Sequence, residues 1–427
     1  MWWEISEHLE IRNNVLFIAG VEANSLAEKY GTPLYVYNGN RMVDNFLRIK
    51  AVFESAGVNP RIHYAIKANP HLAVLQLLLK QGAWIDAVSV NEVRLALEAG
   101  FSKEKILFTG TSVSNADIGQ LMELGVRVNI DSISQMKRMK DKGFKGEVSI
   151  RWNPGEGAGH HDHTITAGKY IKFGIPEHRI EEAFRKAKAF GLTVVGLHQH
   201  IGSGWLGKDV DTFLETVGKT LAVAEKAQEI LETKLEFVDF GGGPGIPYSQ
   251  NQLKFPLEKY AKGITEKMSK SGINAEIAIE PGRYIVGDAG VFLVEVNTIE
   301  EKNIPVLGVN SGFTHLIRPA FYGSYHEIVV CNNVGGREKG KFMVAGNLCE
   351  SSDVFNENKK ELRELPLPEE GGFLALLNAG AYGYSMVSNY NSRLKPAAVL
   401  LLNGKEQIIA KRQSFPDLLD KEERLQI

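Results

Sequence analysis

Lys67 has the residue type and the position of a nucleophilic amine. It closes an alternating run that starts at Arg61 and stops at Asn69-Pro70, a pattern typical of a strand that ends in a loop. Burial at a strand end would desolvate the ammonium and lower its pKa, and a partly neutral lysine can form a Schiff base with a carbonyl group. The alternative is an ordinary lysine whose charged end reaches solvent.

Two later segments supply partners for such an amine. Residues 239–245 (DFGGGPG) have few side chains, so backbone N–H groups there could converge on an anion such as phosphate; a tight turn is the alternative. Residues 280–283 (EPGR) place Glu280 at the end of an apolar run, where an unpaired carboxylate would be costly. Its partner is either Arg283 or a cationic ring nitrogen.

These residues follow eight apolar segments that alternate with helix-like stretches. The first four steps between segments are 22, 22, 22 and 21 residues. Strands alternating with helices form parallel sheets, and eight such units favour a (β/α)8 TIM-type barrel over an open doubly wound sheet. The segments begin near Arg61, Ala83, Lys105, Arg127, Val148, Val194, Phe237 and Glu276.

Polar residues concentrate at the C-terminal ends of these predicted strands, where barrel enzymes carry their active residues. This concentration at one face of the barrel indicates an enzyme. A reactive lysine, an anion cradle, a carboxylate for a ring nitrogen and a histidine able to stack on a ring together match pyridoxal 5′-phosphate (PLP). The residues at these ends are Lys67, Asp86, Ser89, His198, His200, Ser203, Gly241 to Gly243, Glu280 and Arg283.

The pattern changes after about Gly287, where strand-like runs follow one another and helix signals are sparse. We therefore predict three parts: residues 1–36 as an N-terminal segment that joins the β domain, 37–286 as the PLP-binding barrel, and 287–427 as an all-β sandwich or barrel with a C-terminal helix at 415–424. A strand is expected at 15–19, and the charged residues 356–370 are expected to form a surface excursion.

The composition excludes several classes of protein. The 427 residues carry 49 Lys and Arg against 51 Asp and Glu, so a net charge of −2 gives no basic surface for nucleic acid or anionic membranes. The first residues do not resemble a signal peptide, and the two cysteines fit the reducing cytoplasm. Residues 157–163 (GAGHHDH) are rich in histidine but lack the spacing of a zinc motif, so no metal is predicted.

The motifs resemble those of the barrel-type (fold-type III) PLP-dependent decarboxylases. The resemblance covers nearly the whole chain, from Gly31 to Arg393, and its motifs occur in the order of that family. They are residues 64–69 (YAIKAN), 198–203 (HQHIGS), 241–245 (GGGPG), 280–283 (EPGR), 316–322 (LIRPAFY), 348–351 (LCES) and 379–383 (AGAYG).

The resemblance implies a role for each matching residue. The catalytic residues would be Lys67, Cys349, His200 and Glu280, with Lys67 attached to the cofactor. Cys349 and Glu350 would enter the site from the second subunit of a homodimer, so each site would need two chains. The cofactor would be bound by Lys67, Asp86, His200, Ser203, Gly242, Gly243, Glu280, Gly282, Arg283 and Tyr382. The substrate would be bound by Arg283, Arg318, Tyr322, Glu350 and Tyr382.

Within that family the motifs are most similar to the branch that converts meso-2,6-diaminoheptanedioate to L-lysine and CO2, the last step of lysine biosynthesis. Arg318 and Glu350 together suit a substrate end that carries both a carboxylate and an ammonium. The alternative is a decarboxylase of ornithine, arginine or a D-amino acid in the same family. Asn310-Ser311-Gly312 replaces the usual Asp-Ala-Gly, and the effect of this change and of His315 on substrate preference stays open.

Two further alternatives fit the residues less well. An amino-acid racemase on a similar barrel would pair the ring nitrogen with a cation, whereas Glu280 supplies an anion. A non-catalytic regulator would have no use for Lys67, Cys349 and Glu350 together.

Overall fold

The structure is a computed structural model, and it describes residues 1–155, 166–168, 170–358 and 360–425. The histidine-rich residues 157–163, for which no metal was predicted, lie outside these ranges. The chain divides into two compact units. One comprises Val43–Pro247 and Gln252–Ile285, and the other comprises Met1–Met42, Tyr248–Asn251 and Val286–Ile427.

Eight parallel strands close a barrel in the first unit. The eighth strand pairs with the first (Ala278 with Arg61) and the fourth with the fifth (Val128 with Val148), so the sheet has no free edge and the predicted barrel is confirmed. A two-residue strand, Ile175–Pro176, adds beside the fifth. The barrel strands are Arg61–Ala65, Trp84–Ala87, Ile106–Phe108, Arg127–Ile130, Glu147–Asn153, Thr193–Gln199, Phe237–Asp239 and Glu276–Ile279.

Serine side chains start three of the helices that follow these strands. Ser89, Ser114 and Ser132 each accept a hydrogen bond from a backbone N–H of the first helical turn, which satisfies a group that the helix leaves unpaired. Ser89 is therefore a helix cap. The longer helices are Ala23–Tyr30, Gly39–Ser55, Leu72–Lys80, Val90–Glu98, Asn115–Leu124, Ile133–Asp141, Glu177–Ala189, Asp209–Leu231 and Leu257–Ser271; Arg283–Val286, Arg318–Tyr322 and Phe415–Leu419 are short.

The barrel interior combines an apolar cluster with buried polar pairs. Leu107, Val195, Phe237 and Ala278 form the cluster. Ser149 Oγ donates to Asn129 Oδ1 at 2.7 Å between the fifth and fourth strands, and both residues are buried. Because a polar group costs free energy when it is buried without a partner, the hydrogen bond between these two side chains offsets the cost of burying them.

The second unit contains a bent sheet around the long strand Gly290–Glu301. Its strands run in the order Arg363–Pro366, Lys339–Ala345, Pro305–Val309, Gly290–Glu301, Leu34–Asn38, Ala397–Leu402 and Lys405–Ala410. Phe373–Leu376 also pairs with Gly290–Glu301 and carries Ile328–Val330 on its other side. This confirms the predicted all-β domain and its association with the N-terminal part of the chain.

The predicted strand at 15–19 is present as Val15–Ile18, which pairs with Leu9–Arg12 and Val21–Glu22 in a small sheet. The N-terminal strand that enters the large sheet is Leu34–Asn38. Two other local predictions were wrong in detail. Residues 356–370 are not only a surface excursion, because they contain the strand Arg363–Pro366. The C-terminal helix ends at Leu419, well before residue 424. Within the described ranges no helix is long and apolar enough to cross a bilayer.

Candidate active site

Lys67 lies just after the first barrel strand. The strand ends at Ala65, so Lys67 belongs to the 3-10 turn Ile66–Ala68 and is not the last residue of the strand as predicted. Its Nζ donates to Asp86 Oδ2 at 2.8 Å, and its side chain is 36% exposed, so desolvation of the ammonium is only partial. The turn therefore presents the amine at the mouth of the barrel, beside a carboxylate.

Asp86 is the penultimate residue of the second barrel strand, which ends at Ala87, and it is fully buried. Burial opposes ionisation of this carboxyl, but the Lys67 ammonium and the Thr109 hydroxyl, which donates to Asp86 Oδ1, outweigh it and lower the Asp86 pKa. Asp86 is thus a fixed negative charge that orients the lysine side chain.

Glu280 follows the eighth barrel strand and faces a histidine. His198 Nε2 lies 3.2 Å from Glu280 Oε1, without the alignment of a hydrogen bond, and both side chains are buried. Burial, then the charges of Asp86 and Asp239, raise the Glu280 pKa, and His198 offsets only part of this. Arg283 was one of the two partners considered for Glu280, and the close contact seen among the described residues is with His198.

His200 is a neutral imidazole in this site. Desolvation, followed by the nearby positive charge of Arg151 and of Lys67, holds its pKa well below the ordinary value of 6.5. Arg151 is itself buried on the fifth strand and lies 4.7 Å from the centre of the Phe173 ring. An uncharged ring at position 200 is able to pack flat against another aromatic ring.

The glycine-rich segment after the seventh strand leaves no space for side chains. A Cβ on Gly241 would meet the Gln199 carbonyl and the His200 side chain, and one on Gly243 would meet the Trp205 ring. Gly241 also has a φ of +70°, which favours glycine. The segment therefore brings its backbone close to the barrel mouth, as binding of a phosphate group requires.

Arg283 and Ser203 complete the barrel side of the site. Arg283 is buried and its Nη2 donates to Ser203 Oγ at 3.4 Å. A Cβ on Gly282 would lie 3.0 Å from Ala68 Cβ, so the loop after the eighth strand packs directly on the turn that carries Lys67. The structure thus brings together Lys67, Asp86, His200, Ser203, Gly242, Gly243, Glu280, Gly282 and Arg283 at one end of the barrel.

These residues fit PLP. Glu280 is a buried carboxylate with one oxygen, Oε1, that has no hydrogen-bond partner among the described residues, and a cationic ring nitrogen would satisfy it. The glycine segment offers close backbone approach to a phosphate, and Lys67 offers an amine. No described residue therefore has to be displaced from a hydrogen bond with Glu280 Oε1 to admit the ring.

Arg318 is fixed within the β unit by a histidine. Its Nη1 donates to His326 Nε2 at 3.0 Å, while His326 Nδ1 donates to the Leu377 carbonyl at 2.8 Å. Because that carbonyl can only accept, His326 is the neutral tautomer with Nε2 free to accept from the guanidinium. The guanidinium also lies 4.6 Å from the centre of the Tyr248 ring, so Arg318 is held in one orientation.

Tyr322 and Tyr382 also belong to the β unit. Tyr322 ends the short helix Arg318–Tyr322, and Tyr382 has a φ of +56°, which is uncommon for a residue with a Cβ. Backbone strain of this kind persists where the surroundings enforce it, and it clusters at functional sites.

Cys349 and Glu350 lie on an exposed segment that a buried carboxylate organises. Asp353 accepts the backbone N–H groups of Phe313 at 2.6 Å and of Leu348 at 2.8 Å. Cys349 N–H donates to Asn391 Oδ1 at 2.8 Å. The Cys349 thiol is free and exposed, whereas Cys331 is buried.

Residues 310–315, which include the departures from the family pattern, form hydrogen bonds within the β unit. Asn310 Nδ2 donates to Thr32 Oγ1 at 2.7 Å, and Ser311 Oγ lies 3.0 Å from His315 Nδ1. Burial lowers the His315 pKa to about 4, so this ring is neutral. These contacts give the departing residues a role in packing, and their effect on substrate preference stays open.

Comparison with known proteins agrees with this geometry. A family model described as the pyridoxal-binding domain of pyridoxal-dependent decarboxylases matches residues 41–287. The diaminopimelate decarboxylase of Methanothermobacter thermautotrophicus is 43% identical over 410 residues, which cover 95% of this chain and 94% of that protein. The chain belongs to the diaminopimelate decarboxylase family. This confirms the resemblance inferred from the motifs.

Two solved structures of this family are similar to the chain over nearly its whole length. The diaminopimelate decarboxylase of M. jannaschii in complex with L-lysine has a TM-score of 0.89 and 32% identity, and the match covers 98% of each chain. The Helicobacter pylori enzyme in complex with L-lysine has a TM-score of 0.86 and 34% identity, with 93% of this chain and 98% of that chain covered.

Three side chains that contact candidate site residues were not predicted as functional. His198 was noted only as a polar residue at a strand end, yet it faces Glu280. His326 and Asp353 hold the Arg318 guanidinium and the Cys349 segment. The alternation of the sixth strand, which puts His198 on the same face as His200, was the one available signal; the other two act through contacts that sequence spacing does not reveal.

Proposed function

We propose that this protein binds PLP and decarboxylates meso-2,6-diaminoheptanedioate to L-lysine and CO2. The observation that carries the proposal is the juxtaposition, at one barrel mouth, of an amine at Lys67 and a buried carboxylate at Glu280 that lacks a full set of partners. An amine for the aldehyde carbon and an anion for the ring nitrogen are the two groups that PLP chemistry needs from a protein.

Each residue of the barrel has a defined task in the proposal. Lys67 holds the cofactor covalently until substrate arrives, and Asp86 orients its amine. Bound PLP supplies the electron sink that accepts the electron pair released when the bond between Cα and the carboxylate breaks. Glu280 keeps a proton on the ring nitrogen, and the neutral His200 packs against the ring without adding positive charge.

The substrate and the proton are handled by residues of the β unit together with Arg283 of the barrel. The fixed guanidinium of Arg318 suits a substrate carboxylate, and family resemblance assigns Tyr322, Tyr382 and Arg283 to the substrate or the phosphate as well. Glu350 suits the distal ammonium, and Cys349 donates the proton that replaces CO2 at Cα. We propose that Cys349 and Glu350 come from the second subunit of a homodimer. A reducing compartment such as the cytoplasm would keep the exposed Cys349 thiol reduced.

The test is a carbon dioxide release assay on purified protein across the diaminopimelate stereoisomers, lysine, ornithine and arginine. We expect release from the meso isomer and formation of lysine. Borohydride treatment should fix the cofactor covalently to Lys67, and peptide mapping should find the label there. Release from ornithine or arginine in preference to the meso isomer would favour the other members of the family, and a label on a different lysine would overturn the assignment of Lys67.

A further inference from the structure

A buried histidine–aspartate pair lies beneath the cofactor site and has no role in the proposed reaction. His63 is in the first barrel strand and Asp239 ends the seventh, and both are buried, at 2% and 0% exposure. His63 Nδ1 and Asp239 Oδ2 are 3.1 Å apart. The eighth strand separates these two strands in the sheet, so the contact crosses the interior of the barrel.

The second oxygen of Asp239 connects this pair to the glycine segment. Asp239 Oδ1 accepts the backbone N–H of Gly241 at 2.8 Å. The carbonyl of Gly241 in turn accepts the backbone N–H of Glu280 at 2.9 Å. The Asp239 carboxylate therefore fixes Gly241, the first glycine of the segment, and through Gly241 it fixes the backbone of Glu280.

The Asp239 charge opposes ionisation of the nearby Glu280 carboxylate, and this cost argues against a purely structural role for the pair. One ligand atom from each of His63, Asp239 and Glu280 lies within 4.8 Å of the others, so Asp239 places a second negative charge beside Glu280. That charge contributes to the raised pKa of Glu280. A buried hydrogen bond between neutral groups would stabilise the barrel without this penalty.

We infer that His63 and Asp239 are positioning residues: by holding the N–H of Gly241 they preform the glycine cradle for the phosphate of PLP and set the backbone of Glu280. His63 keeps the Asp239 carboxylate in the rotamer that reaches Gly241. The inference rests on the proposed binding of PLP and goes beyond it, because family resemblance assigns no role to either residue.

The test measures PLP affinity and the environment of the bound phosphate. Apoenzyme prepared from purified holoenzyme is titrated with PLP, and the holoenzyme is examined by 31P NMR. His63→Leu removes the bond to Asp239 and should raise the Kd for PLP about ten-fold, which corresponds to about 1.4 kcal/mol. Its phosphate resonance should move toward that of free PLP. His63→Asn keeps a donor at the position of Nδ1, and its Kd for PLP should lie within about three-fold of the wild-type value.

Ser149→Ala is the matched control, because it breaks another buried hydrogen bond of the same barrel that does not touch the glycine segment. It should reduce thermal stability while leaving the PLP affinity and the phosphate resonance unchanged. If His63→Leu does not fold, His63→Ala removes the same bond without adding bulk beside Asp239 and takes its place.

The inference is overturned if the folded His63 variant loses stability as Ser149→Ala does but binds PLP as tightly as wild type with an unshifted phosphate resonance. Equal weakening of PLP binding by His63→Asn and His63→Leu would also overturn it, because the donor at position 63 would then be irrelevant. Failure of the wild-type protein to bind PLP would instead refute the proposed function, so the two failures are distinguishable.

Discussion

Replacing Glu280 with glutamine separates the shape of this side chain from its charge. The carboxylate is 4% exposed, and burial together with Asp86 and Asp239 raises its pKa. A cation at the ring nitrogen is therefore stabilised by an anion that water hardly screens. Glutamine fills the same volume and can still form a neutral hydrogen bond, but it cannot hold the proton on the ring nitrogen.

The expected magnitude follows from this burial. A charge-assisted hydrogen bond is worth about 1.5–3 kcal/mol, and removal of one preorganised electrostatic contact to a transition state costs about 2–4 kcal/mol. Since each ~1.4 kcal/mol is a factor of ten in rate, kcat should fall about 30- to 1000-fold. KM should change much less, because the charge matters most when electrons enter the ring.

The assay is steady-state CO2 release from meso-diaminopimelate with saturating PLP. Glu276→Gln is the matched control: Glu276 begins the strand that Glu280 follows, and its 57% exposed carboxylate pairs with Arg61 at the start of that strand. The control should retain kcat to within about two-fold. A Glu280→Gln enzyme with wild-type kcat would refute the electrostatic role of this residue.

The apoprotein gives a second and independent measurement on the same variant. Because the Glu280 pKa is raised above its ordinary value of 4.5, the folded protein binds this proton more tightly than the unfolded chain does. Stability is then lost as pH rises above 4.5, up to the folded pKa. Glutamine has no charge to desolvate, so apo Glu280→Gln should melt at a higher temperature than the wild-type apoprotein at about pH 8, and the difference should shrink at about pH 5.

Two further predictions concern the β unit. Homodimers of Lys67→Ala and of Cys349→Ala should each be nearly inactive. A re-equilibrated mixture of the two should recover about a quarter of wild-type activity, because half of the dimers would be heterodimers with one intact site out of two. No recovery despite confirmed subunit exchange would place the whole site within one chain. Asp353→Asn should lower the free energy of unfolding measured in urea by about 1–3 kcal/mol and change the alkylation rate of Cys349, because an amide N–H replaces one acceptor. The control Asp141→Asn, at an exposed carboxylate, should change neither quantity. An Asp353 variant with unaltered stability and alkylation rate would show that the Cys349 segment is held in another way.

The sequence by itself determined where the barrel strands lie and which residue types stand at their ends. The eight barrel strands begin within one residue of where alternation and β-branched composition predict them, because side chains alternate between the two faces of a strand with a period of two. The same alternation puts His63 on one face with Arg61, and His198 with His200. Gly241 to Gly243 could be recognised as a close approach of backbone because only glycine fits there.

Only the tertiary structure decided which of these groups meet. Lys67 meets Asp86 because the first two barrel strands are neighbours in the sheet, whereas His198 with Glu280 and His63 with Asp239 are contacts between residues far apart in the chain that the barrel brings together. The strand Leu34–Asn38 lies between Gly290–Glu301 and Ala397–Leu402, partners more than 250 residues away. Sequence periodicity specifies the face of a strand, whereas its neighbour is set by packing of the whole chain.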